Sequence, residues 1–309
     1  MRRYVHVPVM TREVLRTLDL AGGGWFVDCT LGLGGHSEKI LESSPSARVL
    51  GIDRDASALD IAKDRLSRFG DRILFHHGNF KDIGEWERLL PEAPNGILAD
   101  LGLSSLQLQD GRGFSFRDEG SLDMRMDCGS GRSASELIAS ETVEELARIF
   151  REYGEVEFPG RIAKSIAARR ELSPVSTAKE LADIVRDAVP RKSRPEKINP
   201  ATKVFQAIRI AVNGELEGLG EFIRGAVSIL AASGRIVVIA YHSLEDRIVK
   251  TVMRDLEKDC ICPPRLPVCG CGRRASLRLP ERNALRPSME EVLENPSSRS
   301  ARLRYAEKV

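Results

Sequence analysis

The sequence predicts an α/β fold built on a parallel, doubly wound sheet, with a helical domain inserted into it. Short apolar runs alternate with helical patterns through the first hundred residues. A long helical stretch then interrupts the alternation, and the strongly apolar run at residues 234–240 restores it. Strands that alternate with helices at this spacing pair in parallel, because each helix carries the chain back to the start of the next strand.

The elements follow from hydrophobic periodicity. Strands are expected at residues 25–30, 48–53, 73–76, 96–101, 234–240 and 302–306. Helices are expected at residues 36–43, 56–69, 83–90, 135–153, 158–170, 177–188, 219–231 and 244–256. Because a structureless loop as long as the middle segment is implausible in a compact domain, residues 108–212 are predicted to form the insertion. Residues 1–107 and 213–309 then form the α/β domain that contains the sheet.

The composition is that of an ordinary globular protein. A chain of 309 residues, 42% hydrophobic and 30% charged, can bury a full core. No stretch approaches the roughly 18 apolar residues of a membrane span, and the first residues lack the apolar core of a secretory signal. We therefore expect a cytoplasmic protein with no membrane partner.

The charge is small in sum but uneven along the chain. The formal net charge is +2, yet residues 185–212 carry seven Lys/Arg against two acids, and residues 260–309 carry ten against five. Such stretches are either solvated surface or sites for the phosphates of a nucleic acid. Charge alone leaves both interpretations open.

A glycine-rich turn follows the first predicted strand, in the order DCTLGLGGHS from Asp28 to Ser37. Glycine lets the backbone approach a ligand closely, and the start of the next helix offers unpaired N–H groups. Asp53 ends the second predicted strand, nineteen positions after Gly34, where a carboxylate can accept hydrogen bonds from both ribose hydroxyls of an adenosine. A nucleotide-like ligand is therefore expected.

The turn differs from a dinucleotide-binding G-x-G-x-x-G sequence, because no glycine stands three positions after Gly34. A pyrophosphate ligand is disfavoured for that reason. Asp28, Asp53 and Asp100, at or near predicted strand ends, suit a cationic ligand such as S-adenosylmethionine, which carries a sulfonium and an ammonium. Asp28 and Asp53 could instead merely cap helices.

Longer strings carry a resemblance to a known family. They are VDCTLGLGGHS, GIDRD, GNF, ADLGLSSLQL, RGFSF, LDMRM, NPATKVFQAIRIAVNGEL, YHSLEDRIVK and NPSSRSARLR. In this order, and over nearly the whole chain, they closely resemble the RsmH/MraW family. The resemblance implies a class I S-adenosylmethionine-dependent methyltransferase with a Rossmann-like sheet. It also implies N4-methylation of cytidine 1402 in the 16S rRNA of the small ribosomal subunit.

Carried over position by position, the resemblance implies cofactor contacts at Gly34, Gly35, His36, Asp53, Phe80, Asp100 and Gln107. The residues alone leave several of these roles open. Phe80 could cover the adenine or belong to the core, His36 could be a polar cap, and Gln107 could bind a carboxylate or end a turn.

Methylation of an exocyclic amine requires acceptors for its N–H bonds, because the lone pair of cytosine N4 is delocalised into the ring. Asp100 and Ser104 are the predicted catalytic residues. His242 is the alternative proton acceptor or base contact, or else a satisfied histidine at a strand end. The sequence after Asp100 departs from the Asp-Pro-Pro-Tyr type common in amino methyltransferases, which leaves the proton route open.

If the substrate is an RNA, the basic stretches would bind it, and residues 108–212 would recognise it. The predicted RNA-binding residues are Arg191, Lys192, Arg194, Lys203 and Arg209, and the second candidate cluster is Arg299, Arg302 and Arg304. The alternatives are a methyltransferase acting on another RNA, a small molecule or a protein, and a nicotinamide-dependent oxidoreductase. The missing glycine counts against the oxidoreductase, and the basic insertion against a small substrate.

Four of the six cysteines are crowded together, as Cys260, Cys262, Cys269 and Cys271. Four thiolates in a short loop could bind Zn²⁺, but Cys-x-Cys is tighter than the usual Cys-x2-Cys spacing. Intervening prolines could equally order a loop without metal. The sequence favours the metal-free interpretation, with a loop that is dispensable for methyl transfer.

Overall fold

A computed structural model describes residues 7–103, 107, 111–115, 120–193, 199–263 and 268–309. The chain divides into two compact units, of which the first comprises Met1–Gly102 and Gly218–Val309 and the second Leu103–Glu217. The boundaries predicted from the sequence fall after residues 107 and 212. Within the described residues, no helix combines the length and apolarity needed to cross a membrane.

Strands and helices alternate at both ends of the described chain, and helices alone fill its middle. The strands are β1 Gly24–Asp28, β2 Ala47–Asp53, β3 Ile73–His77, β4 Gly96–Asp100, β5 Arg235–Ala240, β6 Leu277–Arg278 and β7 Arg302–Lys308. The helices are α1 Thr11–Leu18, α2 Gly35–Ser43, α3 Ala56–Leu66, α4 Ile83–Trp86, α5 Ala134–Ser140, α6 Val143–Gly154, α7 Pro159–Leu172, α8 Ala178–Ala188, α9 Ala201–Asn213, α10 Leu219–Ile229, α11 Ser243–Leu256 and α12 Met289–Glu294. Short 3₁₀ turns are Leu20–Gly22, Ser67–Arg72, Glu87–Leu89, Arg191–Ser193 and Pro296–Ser300.

The first unit contains a seven-stranded sheet in the order β3-β2-β1-β4-β5-β7-β6. Strands β1 to β5 are parallel, and β7 runs antiparallel between β5 and β6. The strand order reverses direction between β1 and β4, the point where open α/β sheets bind their ligands. Asp28, Asp53 and Asp100 end β1, β2 and β4, so the sheet brings all three acids to its carboxyl edge.

The central strands are apolar on both faces because helices cover both sides of the sheet. Phe26 and Leu98 belong to the core formed with α1, α2 and α3, whereas their neighbours Val27 and Ile97 belong to the core formed with α10 and α11. Successive side chains of a strand point to opposite faces, so a strand covered on both sides is a continuous apolar run. Packing on both sides holds the strand ends, and therefore the acids, in fixed positions.

The second unit is helical, and α5 to α9 enclose one apolar core. Leu146, Phe150, Ile162, Leu181 and Ile208 are among its buried members. The helices bury one side each, as their apolar spacing predicts. This unit supplies its own core and so satisfies the main physical requirement for a domain.

The single helix predicted over residues 135–153 is wrong, because the structure has two helices there. The side chain of Ser133 accepts a hydrogen bond from the Glu136 amide, and Glu136 in turn accepts from the Ser133 amide, which starts α5. Thr142 accepts from the Glu145 amide at 3.1 Å and starts α6. Side chains that satisfy the first amides of a helix fix its start, and here they break the apparent periodicity.

A buried asparagine at the end of α9 fixes the loop that precedes α5. Asn213 accepts a hydrogen bond from the Met126 amide at 2.8 Å and donates to the Met124 carbonyl at 2.8 Å. Met124 is fully buried at a positive φ of 58°, an uncommon conformation for a side chain of this size. The two contacts of Asn213 flank Arg125 and hold the backbone that follows Met124.

Candidate active site

The glycine turn between β1 and α2 requires its glycines. Gly34 precedes α2 with φ 78° and ψ 18°, in the left-handed region, and an added Cβ would lie 2.9 Å from Leu66 Cδ1. An added Cβ on Gly35 would lie 3.2 Å from Pro8. The turn therefore brings bare backbone to the carboxyl edge of the sheet, where the start of α2 offers N–H groups to a ligand.

The Asp28 side chain stabilises this turn through hydrogen bonds. Its side chain is 1% exposed and accepts hydrogen bonds from Ser37 Oγ at 2.7 Å and from the Thr30 amide at 3.3 Å. Burial raises the pKa of the Asp28 carboxyl, although the nearby His36 and these donors act in the opposite direction. Of the two roles considered from the sequence, the structure favours a carboxylate that ties the turn to the start of α2.

Asp53 ties the turn to β2 and keeps capacity to accept from a ligand. Its Oδ2 accepts from the Gly32 amide at 2.7 Å and its Oδ1 from the Asp55 amide at 2.8 Å. Burial raises the pKa of Asp53 to about 6, against the lowering effect of these two hydrogen bonds. Because each carboxylate oxygen has two lone pairs, one acceptor position remains on each oxygen for a ribose hydroxyl.

Asp100 is held by three side chains at the end of β4. Tyr241 Oη donates to its Oδ1 at 2.9 Å, and its amide donates to Thr30 Oγ1 at 2.7 Å. His36 Nε2 lies 3.4 Å from its Oδ2. The side chain remains 17% exposed. The carboxylate is therefore oriented by the protein and still accessible, as an acceptor for a substrate or cofactor group must be.

The imidazole of His36 is buried without a hydrogen-bond partner in the described part of the chain. The residue is 6% exposed, and neither ring nitrogen makes a hydrogen bond there. The 3.4 Å approach of Nε2 to Asp100 Oδ2 is within ion-pair distance but lacks hydrogen-bond alignment. A buried polar group without a partner costs about 1–3 kcal/mol. A ligand at the glycine turn is therefore expected to supply the partner, which fits a polar cofactor.

Tyr241 is a site residue that the sequence patterns did not single out. Its ring packs against Gly102, where φ is 145° and an added Cβ would lie 2.9 Å from Tyr241 Cδ2. Burial and the neighbouring Asp100 carboxylate raise the pKa of the Tyr241 phenol, so it stays protonated and donates. The available signal was topological: Asp100 pairs with Ile239, so residues just after β5 lie beside the end of β4.

Three predicted site residues remain, the cofactor residues Phe80 and Gln107 and the catalytic residue Ser104. Phe80 is half-buried and packs edge-on against Phe222, with ring centroids 4.7 Å apart, and its carbonyl accepts from Trp86 Nε1. Gln107 is buried, in the second unit. Ser104 lies outside the described residues. The roles of these three residues stay predictions.

His242 has a structural role at the start of α11. Its Nδ1 accepts from the Glu245 amide at 3.4 Å, and its Nε2 lies 3.1 Å from Glu245 Oε1. Glu245 Oε2 also accepts from the Tyr241 amide at 2.9 Å. His242 therefore caps a helix through Nδ1 and helps to fix the segment that carries Tyr241. Its buried Nε2 has no hydrogen-bond partner among the described residues, so the histidine is only half satisfied. A direct role in proton transfer stays a prediction.

The predicted RNA-binding residues that the structure describes fall into two groups. Arg191 and Lys192 are exposed on a 3₁₀ turn, and Lys203 is exposed on α9. Arg209 instead forms a bidentate ion pair with Glu215, at 2.9 and 2.7 Å, in which both side chains are largely buried. We leave Arg209 out of the proposed RNA-contacting set for this reason. Arg194 lies outside the described residues.

Two members of the second basic cluster also form ion pairs within the protein. Arg302 and Arg304 pair with Asp246, at 3.1 and 2.6 Å. Partial burial would raise the pKa of Asp246, but these ion pairs outweigh burial and lower it. These ion pairs hold β7 against α11, so the main role of Arg302 and Arg304 is structural.

The architecture and the site define a class of enzyme. A doubly wound sheet with an antiparallel seventh strand, a glycine turn after β1 and carboxylates at the ends of β2 and β4 is the arrangement of class I S-adenosylmethionine-dependent methyltransferases. The chain belongs to the MraW methylase family, whose family model matches residues 3–309. Its cofactor is S-adenosylmethionine.

Curated relatives match over nearly the whole chain. Ribosomal RNA small subunit methyltransferase H of Syntrophotalea carbinolica is 47% identical over 307 residues, 97% of this chain and 97% of the relative. The protein of the same name from Thermomicrobium roseum is 48% identical over 307 residues, 98% of this chain and 94% of its own. A solved rRNA methylase from Streptococcus thermophilus covers 97% of this chain and 93% of its own, at 11% identity and a TM-score of 0.40, too low a similarity to bear on function.

The predicted fold class, the family and the cofactor are thereby confirmed. The residues present fit S-adenosylmethionine: bare glycine backbone, a ribose acceptor at Asp53, and a buried imidazole without a hydrogen-bond partner among the described residues. The individual roles of the site residues stay predictions.

Proposed function

We propose that this protein methylates the exocyclic N4 of a cytidine in 16S rRNA of the small ribosomal subunit, at position 1402. Relatives of nearly equal length bear the name ribosomal RNA small subunit methyltransferase H, which supports an rRNA substrate. The observation that supports an amine as the group receiving the methyl is Asp100, an oriented and accessible carboxylate at the end of β4.

Asp100 is the residue that positions the amine. Tyr241 holds its Oδ1, which leaves Oδ2 facing His36 as the acceptor for an N4–H bond. Accepting that bond turns the N4 lone pair out of conjugation with the ring. S-adenosylmethionine supplies the methyl group from its sulfonium, a leaving group that is already activated. The methylated amine is acidic, so a carboxylate is basic enough to take its surplus proton.

The cofactor would be held by residues around the glycine turn. Asp53 would accept the ribose hydroxyls, and Phe80 would cover the adenine. His36 would gain the hydrogen bond that the described residues do not give it. Their common contribution is orientation, because methyl transfer from a sulfonium depends mainly on alignment of the acceptor.

RNA recognition is assigned to the second unit. Arg191 and Lys192 are exposed on one short turn and are suited to phosphate contacts. A stacked cytidine must be turned out of its helix before its N4 can reach a strand-end carboxylate. Binding energy from the basic turn can offset that cost.

The test is methylation of small subunits isolated from a strain that lacks this enzyme. Purified protein and methyl-labelled S-adenosylmethionine should yield N4-methylcytidine at position 1402, and the Asp100→Ala variant should yield far less. Mass spectrometry of nucleosides and of the isolated rRNA fragment reads both the product and its position. Label that appears only in another RNA, in ribosomal proteins or in a small molecule would contradict the proposal.

A further inference from the structure

The cysteine-rich loop joins α11 to β6, and the fold holds its base. The Ser276 amide donates to the Leu256 carbonyl at 2.9 Å, and the Ala275 amide donates to Asp259 Oδ1 at 3.0 Å. Arg273 pairs with Asp255 at 3.2 Å. These contacts bring the two ends of the loop together and leave its tip to be stabilised by other means.

The tip has no apolar core in the part that the structure describes. Ile261 is 57% exposed and Val268 75% exposed. From residue 258 to 276 no described residue is fully buried. A segment of this size without buried apolar surface needs a cross-link to keep one conformation.

The sulfurs of the four cysteines converge at this tip. Cys260 Sγ lies 3.5 Å from Cys269 Sγ and 3.8 Å from Cys271 Sγ. Cys269 Sγ lies 4.0 Å from Cys262 Sγ and 3.5 Å from Cys271 Sγ. All four sulfurs lie within 4.8 Å of one another, and all four thiols are free.

These separations match one particular coordination geometry. With Zn–S bonds of about 2.3 Å, the sulfurs of a regular tetrahedron are about 3.8 Å apart. Four thiolates in a tetrahedron are the ligand set of zinc or of an iron–sulfur centre, and soft sulfur donors disfavour magnesium and calcium. An iron–sulfur cluster holds its cysteine sulfurs farther apart than a single ion does.

We propose that Cys260, Cys262, Cys269 and Cys271 bind one structural Zn²⁺. The convergence of the sulfurs reverses the preference for a metal-free loop that the Cys-x-Cys spacing alone suggested. Four protein ligands leave no open position on the metal, so the ion takes no part in methyl transfer. It closes the loop and supports β6, which pairs with β7 through Leu277 and Arg278 at the edge of the sheet.

The first experiment measures metal in the full-length protein, purified under reducing conditions without chelator. Elemental analysis should find about one zinc per chain. The Cys262→Ser/Cys269→Ser variant should lose it, and Cys128→Ser, which changes an exposed cysteine elsewhere, should retain it. Zinc that stays stoichiometric in the double variant, or is missing from a wild-type protein with all thiols reduced, would overturn the proposal.

A second measurement does not depend on the variants being folded. Cobalt chloride titrated into zinc-depleted wild-type protein should give the visible absorption of tetrahedral cobalt with thiolate ligands, saturating at about one ion per chain. Added zinc chloride should abolish the absorption by displacement, because zinc forms the tighter thiolate site. Absorption typical of octahedral cobalt, or none at all, would show that the sulfurs form no such site.

Discussion

Substitution of Tyr241 by Phe tests whether Asp100 is oriented through its neighbour. The change removes one hydroxyl, the 2.9 Å donor to Asp100 Oδ1, and keeps the ring that packs against Gly102. The fold should therefore survive, and the carboxylate should lose one of the contacts that fix it.

The size of the effect follows from the chemistry of that contact. A hydrogen bond to a charged acceptor contributes about 1.5–3 kcal/mol. Because the Asp100 side chain is 17% exposed, water can partly replace the lost donor, so the lower end of that range applies. About 1.5 kcal/mol corresponds to a roughly tenfold fall in the rate of methyl transfer. Tyr305→Phe is the matched control, since Tyr305 packs in the same core as Tyr241 and is placed on β7 opposite Val237, whereas Asp100 pairs with Ile239.

The assay is single-turnover methylation of small subunits at saturating S-adenosylmethionine, carried out as a double-mutant cycle. If Tyr241 acts through Asp100, Tyr241→Phe should lower the rate about tenfold in the wild-type background and less than about twofold in the Asp100→Ala background. Equal losses in both backgrounds, or no loss in either, would show that Tyr241 does not act through Asp100.

Three further predictions concern binding and stability. Asp53→Ala should weaken S-adenosylmethionine binding by about 1–3 kcal/mol in calorimetry. Because the ribose acceptor is the Asp53 carboxylate and its pKa is about 6, the affinity of the wild-type protein for S-adenosylmethionine should fall roughly tenfold from pH 7 to pH 5. Asp53→Asn should show no such fall. A flat wild-type profile would count against Asp53 as the ribose acceptor. Replacing Arg191 and Lys192 with Ala should flatten the slope of log RNA affinity against log salt by about 2 and leave cofactor binding intact; an unchanged slope would make them solvated surface. Asn213→Ala should lower the free energy of unfolding by about 3 kcal/mol, because it leaves buried backbone groups unpaired, and Gln206→Ala on the same helix should cost under about 1 kcal/mol; equal losses in denaturant titration would contradict this.

The sheet could be predicted from the sequence because its signals are local. Apolar runs such as residues 48–53 and 234–240 define buried strands, and an acid at the end of a parallel strand must lie at the carboxyl edge. The positions of Asp53 and Asp100 follow from that rule. The family resemblance then supplied the cofactor and the activity to test.

Contacts between distant residues could not be predicted in the same way. The pair Tyr241 and Asp100 depends on which strands are neighbours, and sequence order does not give that. The pairing of Arg209 with Glu215 depends on the turn after α9. This ion pair neutralises the Arg209 charge, which the sequence suggested was available for RNA. The break at Thr142 had a local signal in its capping position, but the helical periodicity on both sides masked it.

Whether this protein methylates cytidine 1402 can be measured by mass spectrometry of nucleosides from the 16S rRNA of a strain that lacks this gene. N4-methylation of cytidine 1402 should be absent in that strain, be restored by the wild-type protein, and stay largely absent with Asp100→Ala expressed at the same level. Unchanged N4-methylation of that cytidine in the deletion strain would show that another enzyme methylates it.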